Sequence, residues 1–194
     1  MHRTDNITAA LQASLKKLQV DYVDLYLIHA PYFANDGTGG IAPEKLQAAW
    51  KTMEDLKSQG LTKSIGVSNY LPEHLEYTVA KATVVPAINQ VEFHPYLPRT
   101  ALIAANKKYG IATAAYGPLT PITKGAPGPL DATLAALAKK YAVSEAEILL
   151  RWAIDKDVVA VTTSGKEQRL SDYLRTSTFK LTPEEVRWVG GKFS

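Results

Sequence analysis

An alternation of two periodicities runs through this chain and narrows its fold more than any single residue does. Apolar runs at residues 22–29, 63–67, 87–91, 111–115 and 158–161 are each followed by apolar residues at helical spacing. Strands that alternate with helices predict a parallel sheet, because a strand that returns in the same direction needs a crossover of helical length. Ahead of the first run, Ile7, Ala10, Leu11, Leu15 and Leu18 fall on one helical stripe, and Asp5 or Asn6 is placed to accept from the amides of the first turn. Residues 22–29 form a dense apolar run with one acid, which predicts a strand covered on both faces. Period two puts Val23, Leu25, Leu27 and His29 on one side of it.

A loop with Asn35-Asp36-Gly37 and Gly39-Gly40 leads to Pro43, a favourable first helical residue. Leu46, Ala49, Trp50, Met53 and Leu56 then recur at helical spacing until Gly60 ends the helix. Further helices are predicted from Pro72 and over residues 98–110. The Pro/Gly-rich loop at 118–129 is too long for a simple connection and has the character of a loop that covers a site. Two helices follow, the second opened by the capping box Ser144-x-x-Glu147, with Ile148 and Trp152 on its buried stripe. Ser164-x-x-Glu167 predicts the cap of the next helix, and Thr182-Pro183-Glu184-Glu185 opens a short last one. Five such strands fit an open doubly wound sheet or part of an eight-stranded barrel.

At 194 residues the chain is long enough for one well-buried domain over residues 1–194, and no linker-like run divides it. The net charge of +3 is scattered, without a basic stripe carrying interleaved aromatics, so no nucleic-acid partner is expected. The absence of cysteine excludes a disulfide framework and a thiolate zinc site, and no metal is expected. The polar start, Met1-His2-Arg3-Thr4-Asp5-Asn6, lacks the apolar core of a signal peptide, and no apolar run approaches membrane length. The expectation is a cytoplasmic protein with no membrane partner.

In a parallel α/β sheet, ligands sit beyond the carboxyl ends of the strands. The run Lys63-Ser64-Ile65-Gly66-Val67 stops there at Ser68-Asn69-Tyr70, two small hydrogen-bonding side chains that are also ordinary turn formers. His29 ends the preceding strand ahead of Ala30-Pro31, which suits a ligand-facing ring or a structural histidine bonded to nearby backbone. His94, in Phe93-His94-Pro95, reads as structural, and His2 and His74 as surface residues.

Met53, nine intervening residues, and then Lys63-x-Ile65-Gly66-Val67-Ser68-Asn69-Tyr70 resembles the second signature of the aldo-keto reductases. Leu27-Ile28-His29-Ala30-Pro31, Asn89-Gln90-Val91-Glu92-Phe93-His94-Pro95 and Ala115-Tyr116-Gly117-Pro118-Leu119 match further segments in the family's order, and the resemblance runs from about Asn6 to about Val186. It implies the (β/α)8 TIM-barrel fold of that family, incomplete, with five of eight strand-helix units present. The strands correspond to the fourth to the eighth, without the N-terminal barrel strands and the C-terminal tail. Reduction of aldehydes or ketones with NADPH or NADH is the implied activity, with a small-molecule carbonyl compound as substrate. Fungal members that resemble ketopantoyl-lactone reductases read similarly, which implies dicarbonyl substrates.

By the same resemblance, His29 corresponds to the histidine that orients the substrate carbonyl, with Ala30 where the family usually has Trp. Ser68, Asn69 and Gln90 correspond to the trio that holds the cofactor's carboxamide, and Tyr116 to the aromatic that stacks on the nicotinamide. Gly117 stands where a pyrophosphate-binding Ser is common, and Leu119 keeps its match. Thr163, Ser164, Arg169 and Asp172 fall in the third signature, but Thr163 replaces the Lys that usually pairs with the 2′-phosphate and Tyr173 replaces an Asn. Ser164 and Arg169 keep the family's residue types. The family's proton-donating Tyr, with its Lys and Asp, lies ahead of every matched segment, and none of Tyr26, Tyr70 or Tyr116 matches that Tyr. Three readings therefore stand: a shortened reductase, a nucleotide-binding or regulatory module without catalysis, and an unrelated open α/β domain. A partial barrel would also expose strand edges and invite self-association.

Overall fold

The structure, a computed structural model, describes residues 7–35, 37–38 and 40–191. Asp5, Asn6, His2, Asp36, Gly39 and the final Lys192-Phe193-Ser194 lie outside the described residues, and with them the predicted first cap and part of the predicted glycine loop. Strands and helices alternate as α1 (Ile7–Leu18), β1 (Val23–Ile28), α2 (Pro43–Ser58), β2 (Thr62–Ser68), α3 (Pro72–Val79), β3 (Ile88–Glu92), α4 (Thr100–Lys108), β4 (Ala112–Tyr116), α5 (Asp131–Tyr141), α6 (Glu145–Asp155), β5 (Val158–Ala160), α7 (Glu167–Leu174) and α8 (Pro183–Gly190). The five strands are ordered β1-β2-β3-β4-β5 in the sheet, with parallel pairing of β1 with β2, β2 with β3, and β4 with β5. No helix among the described residues is long and apolar enough to cross a membrane.

The chain clusters into two compact units, one of Met1–Gln90 with Ala101–Ala112, the other of Val91–Thr100 with Thr113–Ser194. In the first, α2 buries Leu46, Ala49, Trp50, Met53 and Leu56, the residues its helical spacing selects. Trp50 Nε1 donates to Val84 O at 2.8 Å, so the indole is buried without an orphaned donor. Glu54, also buried, accepts from the amides of Thr83 and Val84 at 2.7 and 2.8 Å and fixes the entry to β3. Leu11 and Leu15 of α1 pack with Leu56, whereas Ala10 and Leu18 of the same predicted stripe are exposed.

Two expectations are corrected in this unit. β1 is not covered on both faces: Leu25 is 42% exposed, because β1 stands at the end of the strand order and has a sheet neighbour on one side. His74 is half-buried rather than on the surface, since its Nδ1 accepts from Leu71 N at 3.0 Å and its ring meets the Tyr70 ring edge-on. That burial holds its imidazole below the ordinary pKa, with Glu73 pulling the other way.

In the second unit, Phe93 stacks on Trp152 with ring centroids 5.0 Å apart, and Trp152 Nε1 donates to Val186 O. The capping box at Ser144/Glu147 forms as predicted, and α8 opens at Thr182 with a second box closed by Glu185. The one predicted at Ser164/Glu167 does not, because α7 starts later, with Lys166 as its N-cap, and the Ser164 hydroxyl accepts from Lys166 N at 3.1 Å instead. α7 buries none of its residues.

Candidate functional site

In the first unit, the carboxyl end of β2 is shaped by a close approach of three strands at Gly66. A Cβ there would lie 2.7 Å from Ile88 O and 2.8 Å from Leu27 Cδ2, so only glycine fits. Two residues later Ser68, buried and level with Gln90 in the register, donates from Oγ to Gln90 O at 2.6 Å. Asn69 N donates to the same carbonyl at 2.9 Å. Asn69 itself sits at φ 59°, a left-handed conformation that asparagine tolerates better than most residues, and there the strand turns away. Its Nδ2 donates to Ser68 Oγ at 3.1 Å and to His29 O at 3.0 Å. The structure thus brings His29, Ser68, Asn69 and Gln90 together, with the His29 side chain exposed at the end of β1.

Beneath this turn lies a residue that the sequence reading treated only as part of a motif. Asn89 is fully buried, donates from Nδ2 to Tyr70 O at 3.0 Å and to Asn106 Oδ1 at 3.2 Å, and accepts from Tyr70 N at 3.4 Å. It pairs both main-chain polar groups of Tyr70, which would otherwise be buried unsatisfied. The available signal was an amide at an inward position of an apolar strand. Of the nearby tyrosines, Tyr70 is fully buried, and burial holds its phenol far above the ordinary value; its hydroxyl has no hydrogen-bond partner among the described residues. Tyr26 is half-buried and donates to Ile7 O at 3.1 Å, and its burial also raises the phenol.

In the second unit, β4 ends at the half-buried Tyr116, whose carbonyl accepts from Phe93 N at 3.2 Å. Gly117 follows at φ 63°, and a Cβ there would stand 3.3 Å from Thr120 Oγ1 and 3.7 Å from Glu92 Cγ. The carbonyls of Gly117 and Leu119 accept from Thr120 N and Ile122 N at 3.1 Å each, closing a tight turn. Farther along the same loop, Gly125 and Gly128 lie against the Tyr96 ring, whose hydroxyl accepts from Leu130 N at 3.4 Å. His94 is buried with Nε2 3.5 Å from Glu92 Oε1. Burial lowers its pKa and Glu92 opposes, a balance that suits the structural role read from the sequence.

Thr163 and Arg169 are exposed and Ser164 is half-buried, all beside the first turn of α7. Free amides at a helix start favour an anion, and the exposed Lys166 and Arg169 add positive charge there. Asp172, on the following turn, accepts from Gln168 Nε2 at 3.0 Å and lies 3.5 Å from Arg175 Nη2.

Comparison with known proteins bears on the family and the fold. The aldo/keto reductase family model matches residues 1–191. An NAD/NADP-dependent indole-3-acetaldehyde reductase of Schizosaccharomyces pombe is 38% identical over 98% of this chain, which spans 66% of that relative. An NADPH-dependent alpha-keto amide reductase of Saccharomyces cerevisiae is 39% identical over 94% of the chain and 59% of its own length. Among solved structures, an aldo-keto reductase of Bombyx mori in complex with NADP superposes with a TM-score of 0.88 at 36% identity, covering 98% of this chain and 64% of that one. The chain therefore spans less than two thirds of the length of these relatives. With the family model matched almost end to end and the fold shared with solved members, the chain belongs to the aldo/keto reductase family.

Proposed function

We propose that this chain carries the nicotinamide-reading side of an NAD(P)H-dependent carbonyl reductase that turns aldehydes or ketones into alcohols. One observation carries the reading: Ser68, Asn69 and Gln90 meet at the carboxyl end of adjacent strands, tied to the peptide of His29. A carboxamide must be met by both a donor and an acceptor to fix which face of its ring is presented, and a hydroxyl with two amides offers both. When bound, the nicotinamide supplies the hydride. The exposed His29 ring donates a hydrogen bond to the substrate carbonyl, orienting it and favouring the negative charge that develops on its oxygen. Tyr116, Gly117, Leu119, Thr163, Ser164, Arg169 and Asp172 are assigned to the rest of the cofactor by their correspondence within the family. The α7 start, with Ser164 and Arg169, suits a phosphate.

For the substrate, Ala30 stands where the family usually has a tryptophan, which leaves more room beside His29. This supports an activated carbonyl, such as a dicarbonyl of ketopantoyl-lactone type, as the substrate class. The test is fluorescence titration of the 194-residue chain with NADPH and with NADH. Binding of either, weakened about threefold to tenfold by Ser68→Ala, is expected. No binding at millimolar cofactor would overturn the reading.

A second reading, nucleotide binding without turnover, is favoured by the tyrosines: Tyr70 is sealed in the interior and Tyr26 is bonded to Ile7 O. A positioned acid contributes about 10² to 10⁴ in rate, so a chain that lacks one loses most of its turnover. Cofactor binding with no NAD(P)H oxidation on a dicarbonyl selects this second reading.

A further inference from the structure

The peptide that joins Tyr70 to Leu71 is gripped from both sides. Its carbonyl, Tyr70 O, accepts from the buried Asn89 Nδ2 at 3.0 Å, and its N–H, on Leu71, donates to His74 Nδ1 at 3.0 Å. This peptide closes the turn that begins at Ser68 and Asn69, and α3 starts directly after it at Pro72. Leu71, at the N-cap position, offers no side-chain acceptor to the first turn of α3. His74, three residues on, supplies the reciprocal contact, so that half of a capping box forms with a ring nitrogen where Glu or Gln is usual.

A ring nitrogen differs from a glutamine oxygen in one respect: it accepts only while it carries no proton. With Nδ1 accepting, the neutral ring keeps its hydrogen on Nε2. The imidazolium would set a second N–H against that of Leu71, and would place positive charge in the first turn, at the positive end of the helix dipole. The ring also lies edge-on to that of Tyr70, centroids 5.7 Å apart, so its displacement is felt at the buried member of the turn. Burial disfavours the charged ring and Glu73 favours it, with a net pKa below the ordinary 6.5. The helix packed against α3, α2, meets it through the neutral Gln47, whose Nε2 donates to Tyr77 O, and among the described residues Glu73 is the charge that acts on the ring.

We propose that His74 is an acid-sensitive latch on the Ser68–Asn69–Tyr70 turn: neutral, it holds the Tyr70–Leu71 peptide against Asn89, and protonated, it releases that peptide and weakens cofactor binding. The inference rests on the cofactor reading above and adds its regulation. The sign follows from the lowered value in the folded chain: the latch is complete above about pH 6.5 and is lost as pH falls through that lowered value.

His74→Gln and His74→Ala test this in the 194-residue chain. Glutamine at this position still accepts from Leu71 N but does not titrate, whereas alanine removes the contact. The His74 ring and the Leu71 amide are followed by NMR from about pH 8 to about pH 5, and NADH binding is measured by fluorescence at both ends. The expected result is a Leu71 amide that shifts with the same midpoint as the His74 ring. NADH should bind the wild type about threefold to tenfold more weakly at the acid end, beyond any change shown by His74→Gln, and His74→Ala should bind it as weakly at both. A Leu71 amide that ignores the titration of His74 overturns the latch. Equal pH profiles for NADH binding in the wild type and His74→Gln overturn the coupling to the cofactor and leave the cofactor reading intact. No NADH binding at either pH overturns that reading and the coupling together, while the Leu71 amide still decides the latch.

Discussion

Gly66→Ala should destabilise the protein although it adds a single methyl group. The added Cβ would meet Ile88 O at 2.7 Å, Leu27 Cδ2 at 2.8 Å and Ile88 Cγ2 at 2.9 Å, all well inside ordinary van der Waals contact. The two side-chain contacts can be eased by rotamer changes. The carbonyl cannot, because Ile88 belongs to β3, whose next residues Asn89 and Gln90 are registered against Val67 and Ser68. Relief requires β3 to shift against β2. Overpacking of this kind costs about 1–3 kcal/mol, and Ala in place of Gly returns roughly 0.4–1 kcal/mol by restricting the unfolded chain. A net loss of about 1–2 kcal/mol corresponds to a fall of roughly 2–8 °C in the melting temperature of a chain this size. Thermal denaturation followed by circular dichroism reads it, with Gly165→Ala as control, since a Cβ there has nothing within 4 Å. A Gly66→Ala protein that melts with or above the wild type would refute the packing argument.

Glu185 gives a pH dependence. Burial raises its carboxyl pKa, but hydrogen bonds from Lys140, Tyr141 and Thr182 outweigh it and bring the value down to about 2 from an ordinary 4.5. A depressed folded value means that the stabilisation is complete above about pH 4.5 and is lost as pH falls towards 2. Glu185→Gln should therefore lower the melting temperature at pH 7, with a gap that narrows at pH 3; an equal gap at both would contradict this. Because Thr163 lacks the charge to pair with a 2′-phosphate, preference for NADPH over NADH is expected to be weak, and Thr163→Lys should tighten NADPH selectively by about tenfold to a hundredfold. A thousandfold preference for NADPH in the wild type would sink that idea. Val159 is 54% exposed on β5 and Leu174 is 75% exposed on α7, so the chain is expected to self-associate. Sedimentation should show Val159→Lys with Leu174→Lys shifting it to monomer, whereas a monodisperse wild-type monomer would count against association.

How far the sequence was legible depended on the range of the interaction involved. α2 could be read because its apolar residues recur at the helical period and the structure buries that stripe, from Leu46 to Leu56. The cap at Ser144 could be read for a similar reason, since donor and acceptor lie within one turn. Ser164-x-x-Glu167 has the same spacing, yet its hydroxyl is taken by Lys166 N and the helix begins after it, so spacing alone does not decide between a cap and a local turn. The apolar density of β1 shows that it is a strand but not that it stands at the end of the order, which is why Leu25 was expected to be covered. The contact that matters most to the candidate site was out of reach altogether. Asn69 and His29 are 40 positions apart, and their hydrogen bond exists only because φ at Asn69 is positive, which frees the side chain to meet a carbonyl that the main chain has left. A motif can thus name both residues as members of one site while giving no hint that one holds the other, because that relation depends on a backbone angle and on the register of two strands.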